Sequence, residues 1–512
     1  MTDDELPVDA ASESATGSGM ARAVTVISLR VVRGLAGLGA AVAVVAAVGL
    51  VPLPTIGVEA LGTTVEPEPA ELLGVCPGAA LRLGDETGAN AGEAFPVGSP
   101  AVSIAATGTP SRTPLAAGDV GGSSTQAPTL LSLAPSDGAV LAAAQAQASD
   151  GDGDLAGLAV AGCGEPTSSA WLVGGATTVG RTTLLLLANP TGVDADVEIA
   201  MWGESGPVTA PGMRGIAVPA GGQRVLSLAG FAPDLAAPVV HVTARGGQVV
   251  AALQTSITRV LDPGGLDLVS TSPAPAREVF IPEVRIADAA GVAGSLGFEG
   301  YDDLEAIVRI GNPGDETAFV EVSVTPTIPG GTATSFQVQV PAGEVVDTGL
   351  STALELGADP FADGDYTVVL RADRPVVGAV RASTIPEPTV ETDDGGDAVP
   401  GPADLAWFAS ASALTTDVAV AVADAPAPVV VAVAADGAAH TLTFTSLDGG
   451  DVVRLDVPAT GSVAAELEPG TGYLLSGARG VAVALGFAGE GQLGGYPLAS
   501  PRAADSPIVI RP

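Results

Sequence analysis

The chain contains only two histidines, His241 and His440, and neither has the neighbours that zinc or nucleophilic catalysis requires. His241 falls within an apolar, strand-like run, and His440 lies near the start of another such run. The zinc-protease pattern H-E-x-x-H and the serine-hydrolase pattern G-x-S-x-G are both absent from the sequence. We therefore expect no catalytic residue of these two classes.

Paired carboxylates such as Asp302-Asp303 could perform glycoside hydrolysis, which needs two carboxyl groups at a set separation. With 58 acidic residues, however, neighbouring acids arise without any catalytic role. Trp171, Trp202 and Trp407 could stack on sugar rings, but two of them fall at matching places of an internal repeat. We therefore prefer core packing for these tryptophans and keep sugar binding as the alternative.

A glycine-rich loop at residues 175–182 imitates the phosphate-loop pattern G-x-x-x-x-G-K-[ST], with Arg181 in place of lysine. Phosphate binding by such a loop needs a helix directly after it, because the helix amides and dipole face the phosphate. The run that follows, Thr183 to Leu187, is strand-like instead. We therefore predict a turn between strands and no bound cofactor.

Acidic loops at residues 150–154 and 393–397 imitate the start of a calcium loop. A complete calcium loop needs glycine at its sixth place and an acid at its twelfth. For the first loop these places hold Leu155 and Ala161. We predict solvated loops and no metal site, with weak calcium binding left open.

The only two cysteines, Cys76 and Cys163, both lie beyond the long apolar segment near the N-terminus. Two cysteines on the outer side of a membrane most often form one disulfide. A metal site with only two ligands is the weaker alternative, since no histidine stands near either cysteine. We predict a Cys76–Cys163 disulfide.

The N-terminal part of the sequence predicts a membrane anchor. Residues 34–58 carry no charge, and the almost wholly apolar run from Leu35 to Leu53 is long enough to span nearly ~30 Å as a helix. Arg22, Arg30 and Arg33 precede this run, so the positive-inside rule places residues 1–33 in the cytoplasm and exports the rest. A cleaved signal peptide is the alternative, although its apolar region would be shorter.

The net charge is −38, from 20 basic and 58 acidic residues, and every basic residue is arginine. Nucleic acid and anionic lipid surfaces both attract basic patches, so a polyanion of this size would be repelled by them. We therefore expect no nucleic-acid partner. The absence of lysine fits a GC-rich coding bias, and a salt-adapted surface is the alternative.

An internal repeat organises the rest of the chain. Residues 171–190 align without gaps with residues 407–426, which places Trp171 on Trp407, and a looser copy ends at Asn312-Pro313. The other matching elements are 218–221, 340–343 and 457–459, followed by 249–252, 376–379 and 481–484. Each copy begins a unit of roughly one domain.

Short strand-like runs with turn signals about every ten residues predict β-sandwiches. We expect an all-β chain, with an N-terminal transmembrane helix followed by tandem immunoglobulin-like β-sandwich domains. The predicted segments are a disordered cytoplasmic tail (1–33), a transmembrane anchor (34–58), a stalk (59–75), a first β-domain with a loop-rich N-terminal part (76–275), a second β-domain (276–390), a linker (391–402) and a third β-domain (403–512).

From Trp171 onward the chain resembles a family of exported actinobacterial proteins of unknown function. The similar elements are Cys163 and residues 171–175, 189–190, 218–221, 238–242 and 264–267. The resemblance implies an N-terminal anchor and an envelope location, with a hint of neighbouring envelope glycan machinery. It supplies no catalytic residues.

We therefore expect a single-pass membrane protein whose C-terminal ectodomain lies outside the cytoplasm and acts as a binding or scaffolding module without catalysis. Its expected partners are the membrane, through one helix, and an envelope glycan or protein. The alternative function is a carbohydrate-active enzyme, or an accessory subunit of envelope glycan synthesis. The two are distinguished by whether two acids and an exposed aromatic converge in a cleft.

Overall fold

The computed structural model describes residues 63–65, 71–84, 93–121, 126–150, 155–328, 333–353, 361–390, 398–450, 452–501 and 508–510. The chain divides into two compact units, residues 1–66 with 507–512, and residues 67–506. In the first unit, β1 (Thr63–Val65) pairs antiparallel with the last strand, β37 (Ile508–Ile510). The larger unit is all-β, with many antiparallel sheets.

No helix among the described residues is both long and apolar enough to span a membrane. The predicted anchor, 34–58, and the predicted cytoplasmic tail lie outside those residues. Most of the two acidic loops, 151–154 and 393–397, also lies outside them.

The larger unit begins with small sheets, which we call the N-terminal region. One sheet has the order β2-β8-β6, another β10-β9-β5, and β3 pairs with β4. The segment around Ala139–Ala148, whose sequence fits either a helix or a strand, belongs to strand β9. The strands are β2 (Leu72–Cys76), β3 (Ala80–Leu83), β4 (Ala94–Val97), β5 (Ala101–Ala106), β6 (Ser111–Pro114), β7 (Ala116–Ala117), β8 (Thr129–Leu133), β9 (Leu141–Asp150) and β10 (Ala156–Gly162).

The predicted disulfide is present. Cys76 ends β2, Cys163 follows β10, and their Cα atoms lie 4.3 Å apart. Cys76 is buried against Leu131 and Ala143. The bond therefore fastens one sheet of the N-terminal region to the other.

The first module consists of two sheets that share one hydrophobic core. Its first sheet has the order β11-β17-β13-β14, with β15 also on β13, and its second has the order β19-β18-β12-β16-β7. Leu185 and Leu187 of one sheet pack with Val197 and Ile199 of the other. The strands are β11 (Ser169–Val173), β12 (Arg181–Asn189), β13 (Ala195–Gly203), β14 (Gly206–Val208), β15 (Ile216–Val218), β16 (Gly222–Ser227), β17 (Val239–Gly246), β18 (Val250–Arg259) and β19 (Asp262–Val269).

The second module is built around one strand of 21 residues, β25, whose two halves belong to two sheets. The strict alternation around Val320–Thr325 predicts a half-buried strand, and β22 does alternate between buried and exposed residues. The elements are β20 (Ala276–Ile286), helix α1 (Ala289–Ser295), β21 (Ile307–Gly311), β22 (Ala318–Pro326), β23 (Thr334–Val340), β24 (Val345–Gly349) and β25 (Gly364–Thr384).

The strand Asp404–Ala409 lies in the segment predicted as the third domain (403–512), but it pairs with β25 of the second module. The third module proper contains two sheets of four strands, β29-β34-β31-β32 and β33-β30-β35-β36. The remaining strands are β26 (Thr389–Val390), β27 (Ala398–Val399), β28 (Asp404–Ala409), β29 (Val418–Ala421), β30 (Val429–Ala434), β31 (His440–Ser446), β32 (Val452–Val457), β33 (Ser462–Glu466), β34 (Gly472–Ser476), β35 (Val481–Gly489) and β36 (Gln492–Pro497).

The three modules repeat the same strand pairings. In each, one strand lies between two partners: β12 between β16 and β18, β21 between β24 and β25, and β30 between β33 and β35. Each of these strands is followed by the same turn, because Asn189, Asn312 and Asp436 all accept a hydrogen bond from the backbone N–H two residues on. The repeat is therefore structural, and Asp436 is the third copy of the asparagine.

The predicted equivalence of Trp171 and Trp407 is wrong. Trp171 lies in the first strand of the first module, whereas Trp407 lies in β28, which completes a sheet of the second module. The gapless alignment superposes the apolar run of β12 on that of β29. The two runs look alike in sequence, although the two strands occupy different places in their modules.

Candidate functional site

Arg309 is buried at the contact between the first and second modules. Its guanidinium lies over the ring of Trp407, 4.4 Å from the ring centroid. Its Nε and Nη2 donate to the two carboxylate oxygens of Asp347, each at 2.8 Å. Nη1 and Nη2 also donate to the backbone carbonyls of Gly175 and Ala236. Arg309, from the second module, thus fastens two loops of the first.

A second arginine group surrounds Asp303. Arg181 Nη2 donates to Asp303 Oδ2 at 2.6 Å, Arg259 Nη1 bonds Oδ1, and Arg381 Nη1 lies 3.8 Å from Oδ2. Burial alone would raise the pKa of Asp303, but the three arginines outweigh it and lower that pKa. Asp303 is therefore held as an anion and is unsuited to donate a proton.

A cavity of about 380 Å³ lies between these two groups. Arg181, Arg309 and Arg381 line it, together with Asp302, Asp347 and Trp407. Burial lowers the pKa of Arg381, and the nearby Arg309 and Arg181 add to that effect, while Asp303 and Asp347 oppose it. The positive charges of these arginines thus repel one another. We call this cavity the arginine cavity.

The arginine cavity includes residues of two sequence features that do not by themselves specify a function, the loop at 175–182 and the acid pair Asp302-Asp303. Gly175 and Arg181 come from the segment that imitates a phosphate loop, and a strand, β12, begins at Arg181, as predicted, instead of a helix. Asp302 is exposed and Asp303 is bound by arginine. Arg309 was not predicted as a site residue. Its charge inside the apolar run Ile307–Ile310 was the signal that could have identified it.

Two of the three tryptophans are buried, and the third, Trp202, is partly buried. Trp407 is 2% exposed beneath Arg309. Trp171, which is 9% exposed, stacks on Trp202 at 5.4 Å and on His241 at 4.2 Å between ring centroids. Burial lowers the pKa of His241, whose Nε2 lies 2.9 Å from the Ser169 hydroxyl. Packing is therefore the role seen for Trp171 and Trp407.

Asp404 joins four parts of the larger unit through one buried carboxylate. It lies in β28 and accepts backbone N–H bonds from Leu158 at 2.8 Å, Leu266 at 3.0 Å and Leu493 at 2.9 Å. These donors belong to the N-terminal region, the first module and the third module. Burial raises the pKa of Asp404 well above its usual range, against the effect of its N–H donors.

Two further carboxyl groups are buried at module contacts. Asp267 Oδ2 accepts the N–H of Trp407 at 2.7 Å, and burial raises its pKa to about 8. Glu283 packs against Gly486 of the third module. Burial and the charge of Asp365 raise the pKa of Glu283, while Arg285 opposes the rise. None of the three buried acids, Asp404, Asp267 and Glu283, belongs to a sequence motif that would single it out.

Within the described ranges, no group of three or more His, Cys, Asp and Glu side chains could hold a metal ion. His440 lies beside Asp436, 2.9 Å from its Oδ1, at the surface of the third module. His241 and His440 therefore lie in different modules and do not form a joint site.

A family model described as "Family of unknown function (DUF5719)" matches residues 119–470. No curated protein sequence matches the chain. Among solved structures, one entitled "Crystal Structure of Thermotoga maritima 1070" is similar at 20% identity, with a TM-score of 0.17. That match covers 25% of this chain and 93% of the other.

Proposed function

This chain belongs to the DUF5719 family of unknown function, and from that premise we propose that it is a membrane-anchored envelope protein that acts by binding or scaffolding. In this proposal residues 34–58 form the anchor, residues 1–33 lie in the cytoplasm, and the three modules, taken as immunoglobulin-like, face outward. The arginines before the apolar run support this orientation. The Cys76–Cys163 disulfide supports an oxidising compartment.

The observation that carries the proposal is the Asp404 hub, by which we mean the Asp404 carboxylate with its three N–H donors. One side chain holds the N-terminal region and the first and third modules to the second. A buried carboxyl group that satisfies three backbone donors fixes one arrangement, since any other leaves that group and several N–H groups unpaired. Such a fixed array suits a protein that presents surfaces at set positions.

The chemistry around the arginine cavity supports binding over catalysis. Glycoside hydrolysis needs one carboxyl group that gives up a proton and a second that is free to act on substrate or water. Asp303 is kept ionised by arginines, and both oxygens of Asp347 accept bonds from Arg309. Both carboxylates are thus committed to holding arginine side chains.

Capture from native envelope tests this proposal. Full-length chain, purified in detergent and immobilised, is incubated with solubilised envelope, and the retained molecule is analysed by mass spectrometry before and after prolonged incubation. We expect saturable retention of a glycan or protein whose mass does not change. A retained molecule that is cleaved or transferred would establish an enzyme, and an absence of saturable retention would reject a binding function.

A further inference from the structure

The arginine cavity concentrates positive charge in a chain that has very little of it. Four of the 20 basic residues, Arg181, Arg259, Arg309 and Arg381, lie in or beside the cavity. Three acids, Asp302, Asp303 and Asp347, accompany them. The local formal charge is therefore about +1, by Coulomb bookkeeping of four arginines against three aspartates, whereas the whole chain carries −38.

The guanidinium groups in and beside the cavity have more N–H donors than the described residues supply acceptors for. Arg309 uses all its nitrogens on Asp347 and on backbone carbonyls. In contrast, Arg381 Nε and Arg259 Nε and Nη2 are buried without a hydrogen-bond partner among the described residues. Arg381 Nη1 lies 3.8 Å from Asp303 Oδ2, while Arg381 Nη2 donates to the backbone carbonyl of Asp303. Of Arg259 and Arg381, only Arg381 lines the arginine cavity. A buried, unpaired N–H is costly, so Arg381 favours an additional acceptor there.

We propose that the arginine cavity binds one carboxylate group of a small organic acid about the size of a hexuronate. The carboxylate would lie between Arg181 and Arg381, whose side chains are 23% and 13% exposed. A volume of about 380 Å³ falls within the ~300–1,000 Å³ typical of small-molecule sites. The proposal deepens the binding function above by naming the chemical class that is bound.

Charge and shape favour a carboxylate over a phosphate. A carboxylate carries one negative charge, which matches the local excess, whereas a phosphate monoester carries about −1.5 to −2 at neutral pH. The planar guanidinium fork also matches the two oxygens of a carboxylate. The strongly negative field of the rest of the chain would penalise the extra charge of a phosphate further.

Calorimetric titration of the full-length chain in detergent tests the proposal, with glucuronate as the probe. Glucose has the same ring without the carboxylate, and glucose 6-phosphate carries a dianion instead. We expect glucuronate to bind at one site, and both control sugars to bind at least about tenfold more weakly. Equal affinity for glucuronate and glucose, or no heat of binding up to millimolar glucuronate, would overturn the proposal.

Variants locate the site. Arg181→Gln removes one guanidinium while Arg259 still bonds Asp303, so the fold is expected to survive. Arg181→Lys keeps the charge and loses the fork. We expect about tenfold weaker glucuronate binding for Arg181→Gln, and an intermediate loss for Arg181→Lys. The control is Arg214→Gln, an arginine of the same module that is 83% exposed and paired with Glu198.

Unchanged glucuronate affinity in the folded Arg181→Gln variant would reject the site, and so would an equal loss in Arg214→Gln. If Arg181→Gln unfolds, Arg181→Lys decides by the same criterion. Failure here can be told from failure of the binding function. If the chain retains an envelope partner but does not bind glucuronate, the carboxylate site is rejected and the binding function stands.

Discussion

Gly157 is where a single added methyl group should break the Asp404 hub. Gly157 has φ +126°, and a Cβ built there would lie 2.6 Å from Asp404 Cγ and 2.8 Å from Leu266 N. Gly157→Ala must therefore displace the carboxylate. The displaced group no longer accepts the N–H groups of Leu158, Leu266 and Leu493.

The magnitude follows from these contacts. A φ in this sparsely populated region costs an alanine ~1–3 kcal/mol, and each of the three unpaired buried N–H groups costs ~1–3 kcal/mol. Loss of the hub thus removes about 3–9 kcal/mol, a large part of the ~5–15 kcal/mol of a typical domain. Gly206→Ala is the matched control, because Gly206 has φ +112° and open space around its Cβ position.

Urea unfolding followed by far-UV circular dichroism compares the two variants. We expect Gly206→Ala to shift the midpoint slightly and Gly157→Ala to shift it several times more. In an Asp404→Ala background the second change should cost much less, because the carboxylate that it displaces is gone and only the backbone strain and the close approach to Leu266 N remain. Equal shifts for the two glycine variants, or additive effects of Gly157→Ala and Asp404→Ala, would refute the reasoning.

Three other outcomes are expected. Because burial raises the folded-state pKa of Asp267 to about 8, its contribution to the free energy of unfolding is full below about pH 4 and is lost as pH rises towards 8, by up to ~6 kcal/mol. Asp267→Asn should remove this pH dependence of the urea midpoint, whereas the exposed Asp262→Asn should keep it. Trp407→Ala should cost ~3–5 kcal/mol. The Trp407 ring lies against Gly174 and belongs to the same hydrophobic core as Val269, and its strand pairs with β25, so the first and second modules should loosen together in hydrogen exchange. Loosening of one module alone would contradict this packing. A reporter active only in the cytoplasm and fused to the C-terminus should be silent, and activity there would reject the proposed orientation.

The strands of the modules were predictable because each has a short apolar or alternating run bounded by turn residues. Pro219, Pro341 and Pro458 each follow the equivalent strands β15, β23 and β32, as the repeat predicted. The disulfide was also predictable, since only two cysteines exist and both lie beyond the apolar segment.

The contacts between modules were not predictable in the same way. Sequence patterns report which face of a strand is buried, but not which distant strand covers it. Asp404 and Leu158 are 246 residues apart, and nothing local links them. The one sequence signal of these contacts is a charged residue inside an apolar run, as at Arg309 and Asp267. Such a buried charge requires a partner, but the sequence alone does not identify that partner.

The central claim is that the Asp404 hub fixes the modules to one another, and native-state hydrogen exchange of three amides tests it most directly. The account predicts that the N–H groups of Leu158, Leu266 and Leu493 are all strongly protected, and that Asp404→Ala lowers the protection of all three together although they lie in three different parts of the chain. Loss of protection at only one of them, or unchanged protection at all three, would contradict it.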